Sequence, residues 1–348
     1  MGEKDKEFKQ GRREFFSDAG QRALGIAGAV FLGLTATMQS IGKEISVSDE
    51  KSNLLPKFAG RVVRISDPTF KVSGNALNST IIEKKLNEAL KQLTRKNSEQ
   101  TAWGEFVSKK DVVGIKLNCL AGRGLSPHPE LVSAIVNCLK TVGVKDDNII
   151  LFDRTDRDLT SAGFEINRGS GVKCFGNNQD FESEPTQMGS VGSCLSLIFS
   201  KMCSVIINVG VLKDHDLSGV SVCMKNLFGL IHNPNKYHFY TCNPYLADLV
   251  SYDMVRKKVR LNICDSIIAQ YHGGPSRKTQ FQWQLGEILV SSDIVAIDSI
   301  GAQIIEEKRK EKGMRSLKDD GREPIWLKTS EDKSAGIADL KKVEVINL

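Results

Sequence analysis

Two buried β-prone segments with an amphipathic helix between them constrain the fold more than any other feature of this sequence. The segments cover residues 111–118 and 148–152, and Pro129 opens the helix between them, since proline is favoured in a first helical turn. The apolar stripe of this helix consists of Leu131, Ile135 and Leu139. Short joints in a strand–helix–strand order are typical of parallel crossover units, so the sequence predicts an α/β fold.

Further segments extend this pattern along the chain. Strands are predicted at 61–65, 172–175, 205–209, 259–263 and 287–290. Helices are predicted at 81–93, 195–202, 218–229, 245–257 and 298–312. We expect one large domain over residues 59–348, built on a mixed, largely parallel sheet flanked by helices, in which the tail 337–348 adds a helical turn and an edge strand.

The first 40 residues resemble a twin-arginine export signal. Arg12 and Arg13 precede Phe15 and a charge-free stretch at 23–38. This stretch is too short and too rich in glycine and threonine for a typical spanning helix, and it lacks the polar face of an amphipathic one. The sequence therefore predicts recognition by the twin-arginine translocation machinery and a periplasmic or otherwise extracytoplasmic location.

Cleavage of this leader stays open, because no clear Ala-x-Ala site follows the apolar stretch. An uncleaved leader would be a membrane anchor and the protein's sole membrane contact. Residues 41–58 are predicted to be a linker. The formal net charge of +6 comes from interspersed charges rather than a basic stripe with aromatic residues, which argues against nucleic acid as a partner.

Polar residues follow three of the predicted strands. They are Lys116 and Asn118 in the first group, Lys213 and His215 in the second, and Asp265 in the third. Ligands bind beyond the carboxyl ends of strands in open α/β sheets, so we expect these residues to line one site.

Lys213 and Lys225 are the central candidates in this predicted site. Hydrophobic residues flank both lysines, and lysines are rarely buried without a partner. With His215 and Asn226 they suit an anion such as phosphate or carboxylate. Crowded lysines also acquire a lowered pKa, so Lys213, Lys225 and His215 are the candidate catalytic residues.

Metal and backbone ligands are harder to place from sequence. His215, Asp265 and His272 are the metal candidates, although the histidine spacings match no zinc cassette. Gly273 and Gly274 either bring the backbone close to a ligand or form a plain loop.

The eight cysteines include no Cys-x-x-Cys pair, so a ferredoxin-type cassette is absent from the sequence. Cys119 and Cys264 lie at predicted strand ends and are the candidates for redox chemistry. Cys138, Cys203 and Cys223 fall within apolar patterns and are predicted, like Cys264, to be buried.

Several segments together resemble the family catalogued as domain of unknown function 362. They are 113–118, 128–130, 213–215, 225–229, Asp265, 273–275 and 292–298. The resemblance covers roughly residues 60–312 and is most specific around Lys213, His215, Lys225 and Asn226. It implies frequent export, and ferredoxin-like motifs in some members, which this chain lacks.

These features predict an exported enzyme, dependent on a metal or other cofactor of unknown identity, that acts on an anionic small molecule, with redox chemistry as one form. Lys116, Lys213 and Lys225 would hold the anion, with Asn118 and Asn226 beside them. Asp265 would orient His215 or bind a cation. Two alternatives stay open: a non-catalytic exported binding or assembly protein, and an iron–sulfur protein whose cysteines meet through folding or dimerisation.

Overall fold

The computed structural model describes residues 55–71 and 77–348, whose strands and helices form one α/β domain. The strands are β1 Arg61–Ser66, β2 Val113–Lys116, β3 Ile149–Phe152, β4 Lys173–Cys174, β5 Thr186–Met188, β6 Val191–Ser193, β7 Val205–His215, β8 Gly219–Ser221, β9 Val259–Gln270, β10 Gln282–Ser291 and β11 Glu344–Asn347. The predicted leader and most of the predicted linker lie outside the described residues.

Nine of these strands form the central sheet. Its order is β11–β1–β10–β9–β7–β2–β3–β4, and β8 pairs with β7, while β5 and β6 form a separate hairpin. Neighbouring strands from β9 to β4 run parallel, and β10 is antiparallel to both β1 and β9. The expected mixed, largely parallel sheet is confirmed.

Helices cover both faces of this sheet. The α-helices are α1 Ser79–Thr94, α2 Glu99–Trp103, α3 Pro129–Thr141, α4 Asp156–Ala162, α5 Tyr245–Ser251, α6 Asp253–Lys258, α7 Ile294–Glu311 and α8 Trp326–Asp332. Single turns of 3₁₀ helix lie at Pro68–Lys71, Asp146–Asn148, Pro234–Tyr237, Tyr240–Cys242, Thr279–Phe281 and Leu340–Lys342, with a π-helical turn at Ile198–Met202. A longer 3₁₀ segment, Lys225–Leu230, is called the bridging helix below.

Two apolar clusters, one on each side of the sheet, form the core. Side chains of α1 and α3 pack on one face, where alternate residues of the central strands such as Ile207 and Ile263 point. Side chains of α5, α7 and the bridging helix pack on the other face with Ile206 and Cys264. Strands buried on both faces explain the nearly continuous apolar runs in the sequence.

One predicted element is wrong and several have different bounds. The predicted helix at 218–229 is replaced by β8 and the bridging helix, because β7 turns back on itself at Gly219, whose φ of +81° suits glycine. The last long helix begins at Ile294, since the Asp293 side chain caps it by accepting from the amides of Val295 and Ala296.

The predicted strands at 205–209 and 259–263 continue to His215 and Gln270. Polar residues lie in these extensions, so a prediction based on apolar runs alone places the ends of both strands too early. The predicted helix at 245–257 is broken at Tyr252. Among residues 55–71 and 77–348, no helix combines the length and apolar character needed to cross a bilayer.

Candidate functional site

A cavity of about 330 Å³ opens where β2, β3 and β7 end and the bridging helix crosses them. Parallel strands present their carboxyl ends at one edge of a sheet, so residues distant in sequence meet there. Six predicted site residues line it: Lys116, Asn118, Lys213, His215, Lys225 and Asn226.

Lys116 is a paired lysine inside this cavity wall. Its Nζ donates to Asp153 Oδ1 at 2.6 Å, to the Leu117 carbonyl at 2.7 Å and to Asn226 Oδ1 at 2.9 Å. An ammonium group has three N–H donors, and all three are therefore engaged. The geometry gives Lys116 a positioning role and leaves it no N–H donor for the anion that it was expected to hold.

Lys213 is as deeply buried as Lys116 but is held differently. Its side chain is 1% exposed, and Nζ donates to Asn118 Oδ1 at 3.0 Å. Among the described residues no carboxylate lies within 4 Å of this ammonium group. Burial lowers the pKa of Lys213 to about 8, and the charges of Lys225 and Lys116 act in the same direction against that of Asp153.

Lys225 enters the cavity from the bridging helix. Its Nζ donates to His238 Nε2 at 2.8 Å and lies 4.5 Å from the centre of the Phe228 ring. The contact with the ring is a cation–π interaction, which stabilises the charge only in part. Burial lowers the pKa of Lys225 to about 8, and the charge of Arg154 adds to this effect.

His215 is held as a neutral donor. Its Nδ1 accepts from the amide of Leu217 at 3.1 Å and, more weakly, from Ser218 at 3.4 Å. A neutral imidazole has one donor and one acceptor nitrogen, so Nε2 carries the proton. Burial, and then the charges of Lys225 and His238, lower the pKa of His215 far below its usual value. This arrangement suits donation to an anion better than proton abstraction.

Four further ionisable residues line the cavity and were not predicted as site residues, and one of them is Asp216, which follows β7. Asp153 and Arg154 follow β3, and His238 follows the bridging helix. Arg154 has no acidic partner within 4 Å in the described part of the chain. The position of Asp153 and Arg154 at a strand end was the available signal, whereas nothing in the local sequence links His238 to Lys225.

Asp265 does not contact His215 as expected. Its Oδ2 accepts from both the amide and Nδ1 of His128, each at 2.8 Å, and its Oδ1 accepts from the amide of Ile267. Burial by itself lowers the pKa of His128, but the charge and hydrogen bond of Asp265 outweigh it and raise the pKa. Asp265 therefore fixes the start of α3, where the helix follows β2.

The metal candidates His215, Asp265 and His272 are not brought together. His272 packs edge-on against Phe281 with ring centres 4.7 Å apart. Within the described residues, no group of three or more His, Cys, Asp and Glu side chains is arranged to hold a metal ion. Among the described residues, His215, Asp265 and His272 therefore do not form one metal site.

Gly273 and Gly274 lie beside the site without lining the cavity. A Cβ on Gly274 would lie 1.8 Å from the carbonyl oxygen of Asp214, so the close backbone approach is to β7 itself. The amide of Asp216 donates to the Gly274 carbonyl at 3.0 Å. The two glycines thus dock the loop after β9 onto the end of β7.

The two redox candidates are buried thiols. Cys119 and Cys264 are both 0% exposed, and all eight cysteines are unpaired in the structure. Burial, and then the charge of Asp153, raise the pKa of Cys119 well above its usual value, which disfavours the reactive thiolate. The predicted burial of Cys138, Cys203, Cys223 and Cys264 is confirmed.

Comparisons with known proteins show a family match and a distant structural likeness. A family described as "Domain of unknown function (DUF362)" matches residues 113–303, a span that holds every residue lining the cavity. No curated protein matches the chain. A crystal structure of a Thermotoga maritima protein from the Northeast Structural Genomics Consortium is 10% identical, with a TM-score of 0.41. That match covers 65% of this chain and 59% of the other, so the chain spans about three fifths of that protein's length.

Proposed function

The chain belongs to the DUF362 family, a domain of unknown function that matches more than half of its length, and we propose that its strand-end cavity binds an anionic small molecule. The observation that carries this proposal is the convergence of Lys213 and Lys225 on one cavity without a carboxylate partner among the described residues. A buried, unpaired cation is unfavourable in the free protein, and a bound anion would relieve that cost.

Neutral donors complete the proposed anion site. The Nε2–H of His215 and the amide group of Asn118 line the same cavity, and Arg154 adds a third positive charge at its wall. Carboxylates and phosphates accept several charge-assisted hydrogen bonds at once, which matches this set of donors. The cavity volume of about 330 Å³ is at the lower end of the usual range for small-molecule sites, so the proposed ligand is small.

The lysines also support proton transfer to or from the bound molecule. A lysine whose pKa is about 8 is partly neutral close to neutral pH, as a general base must be. Lys213 is the better candidate for this role than His215, since the Nδ1 of His215 already accepts from backbone amides.

Binding of inorganic phosphate and of acetate, measured by calorimetry and by thermal stabilisation, tests the proposal. We expect Lys213→Met and Lys225→Met each to weaken binding by about tenfold or more, because a hydrogen bond between charged groups contributes about 1.5–3 kcal/mol. The control is Lys140→Met, whose lysine is 46% exposed and makes a surface ion pair with Asp146. Wild-type affinity in both cavity variants would refute the proposal.

The pH dependence provides a second test of the same site. Both lysines lose their charge as pH rises through about 8, so we expect anion affinity to fall steadily between about pH 7 and 9. An affinity that stays constant over this range would contradict the assignment of Lys213 and Lys225 as the anion ligands.

We also propose, from the sequence of the leader, that the protein is exported in a folded state. The measurement is export of a folded fluorescent reporter fused to residues 1–40. Replacing Arg12 and Arg13 together by lysine should abolish export, since the twin-arginine machinery recognises the arginine pair. Export that is unchanged in this double variant would remove the twin-arginine assignment.

A further inference from the structure

A second cavity, of about 320 Å³, lies across the bridging helix from the first. Asn226 and Phe228 of this helix line the first cavity, whereas Leu227 between them lines the second. The bridging helix is therefore a wall common to both. Just over half of the second cavity's surface is apolar, and its apolar lining includes Leu227, Val250, Val255, Val259, Ile294 and Ala335.

A row of polar side chains runs through the sheet from the first cavity to the second. Lys116, Asn208 and Asn262 are register partners on β2, β7 and β9, so their side chains lie on the same face. Asn226 of the bridging helix lies over this row and donates through Nδ2 to Asn208 Oδ1 at 2.8 Å. Asn208 in turn donates through Nδ2 to Asn262 Oδ1 at 2.9 Å.

The lysine at one end fixes the direction of every hydrogen bond in this row. An ammonium group only donates, so Asn226 must present its oxygen to Lys116 and its NH₂ group to Asn208. Asn208 therefore accepts through its oxygen and presents its NH₂ group to the Oδ1 of Asn262. The row must therefore end in a donor, the Nδ2 of Asn262.

This terminal donor has no partner within the described part of the chain. The side chain of Asn262 is 0% exposed and lines the second cavity, and its Nδ2 makes no hydrogen bond there. An unsatisfied buried donor costs about 1–3 kcal/mol, and rotation of the amide would only break the bond with Asn208. A ligand in this cavity must therefore offer an acceptor.

Charge at the cavity wall favours an acidic acceptor. Lys257 pairs with Asp253 at 3.5 Å and Lys57 pairs with Glu105, whereas Arg256 has no acidic partner within 4 Å among the described residues. The guanidinium of Arg256 donates to the carbonyl of Ser334 at 3.0 Å and keeps its positive charge. The cavity thus combines an apolar lining with one buried donor and one excess cation.

We propose that the second cavity binds a small aliphatic carboxylate. Its hydrocarbon body would lie against the apolar lining, and its carboxylate would accept from Asn262 in the positive potential of Arg256. This site is separate from the proposed anion cavity, since the two cavities share no lining residue.

Binding of octanoate to the full-length protein tests this proposal, with octylamine as the probe of equal chain length and opposite charge. Calorimetry should show saturable binding of octanoate and none of octylamine. The measurement is repeated in Lys213→Met, so that occupation of the anion cavity does not contribute. Octanoate affinity should persist in this variant, and its loss there would overturn the proposal by assigning the binding to the first cavity.

Two variants locate the ligand. Ala335→Leu fills the second cavity and should weaken octanoate binding about tenfold or more, and Asn262→Asp should do the same by repelling the carboxylate while keeping the acceptor for Asn208. The matched control is Ala302→Leu, because Ala302 is similarly buried, at 8% exposed, but lines a different surface. Equal binding of octanoate and octylamine, or unchanged affinity in Ala335→Leu, would overturn the proposal.

Discussion

Replacing Lys213 by methionine should stabilise the protein at neutral pH. Lys116 and Lys213 are each 1% exposed and have their amino groups in the same cavity wall, but among the described residues only Lys116 has a carboxylate partner. Methionine keeps the length of the lysine stem and removes the charge. The same substitution at the two positions therefore isolates the effect of the missing partner.

The expected magnitude follows from the pKa of Lys213. Its fall from 10.5 to about 8 corresponds to about 3 kcal/mol of unfavourable free energy for the charged form in the folded state, at about 1.4 kcal/mol per pH unit. Loss of the hydrogen bond to Asn118 offsets about 1 kcal/mol of this. We expect Lys213→Met to raise the free energy of unfolding by about 2 kcal/mol at pH 7.

Lys116→Met should have the opposite sign. It removes the partner of Asp153, whose carboxylate is 4% exposed and would then keep only backbone donors. Breaking a buried ion pair in this way costs about 3–5 kcal/mol. The two methionine variants should therefore differ in stability by more than about 5 kcal/mol, although the lysines are equally buried.

The pH dependence separates the charge effect from packing. Because the folded-state pKa of Lys213 is lowered, the unfolded chain binds more protons between about pH 8 and 10.5, and wild-type stability gains with pH in this window. The charge contribution to the advantage of Lys213→Met is thus complete below pH 8 and is lost as pH approaches 10.5.

Urea unfolding of the wild type and both variants at about pH 7 and pH 10 is the appropriate assay, because the difference between proteins cancels the titration of other groups. A Lys213→Met variant that is less stable than the wild type at pH 7 would refute the reasoning. So would a stability difference that is independent of pH, since it would reflect packing rather than charge.

Two further predictions concern the surroundings of the site. The His128–Asp265 pair raises the pKa of His128, so its contribution to folding stability is complete below the unfolded pKa of about 6.5 and is lost as pH rises through the folded value. We therefore expect urea unfolding to show that His128→Ala costs more stability at about pH 5.5 than at pH 9. An equal cost at both pH values would contradict the pairing. Gly274→Ala places a Cβ 1.8 Å from the carbonyl oxygen of Asp214, and thermal or urea unfolding should show a loss of about 3 kcal/mol or more in stability. The control is Gly169→Ala, whose new Cβ has its nearest contact at 3.4 Å and should cost less than about 1 kcal/mol. Similar losses in the two alanine variants would show that β7 and the loop can move apart.

The sequence predicts the architecture well because strand and helix periodicity are local properties. Helix α3, Pro129–Thr141, begins at the predicted proline and has the predicted apolar stripe, since both features lie within one short stretch. The predicted helix at 218–229 is wrong because its valines also suit a strand, and pairing with β7 decides between the two. Tertiary pairing of this kind leaves no local signal.

The sequence predicts where the candidate site lies better than it predicts what each of its residues does. Lys116 and Lys213 converge because carboxyl ends of parallel strands share an edge of the sheet, and the bridging helix brings Lys225 to the same cavity. Their separate roles depend on Asp153, which lies 37 residues from Lys116 and meets it only through the pairing of β2 with β3. The same holds for Asp265, whose partner is His128 rather than the expected His215.

Partners, rather than burial, therefore distinguish a lysine that builds this fold from lysines suited to bind a ligand. Lys116 has three acceptors and fixes the orientation of the amides between the two cavities. Lys213 is buried and Lys225 is half-buried beside it, neither has a carboxylate partner among the described residues, and the pKa of each is lowered to about 8. An unpaired buried charge makes a fold less stable. If Lys213→Met gives a more stable protein that no longer binds anions, the lost stability and the binding site will have been traced to the same amino group.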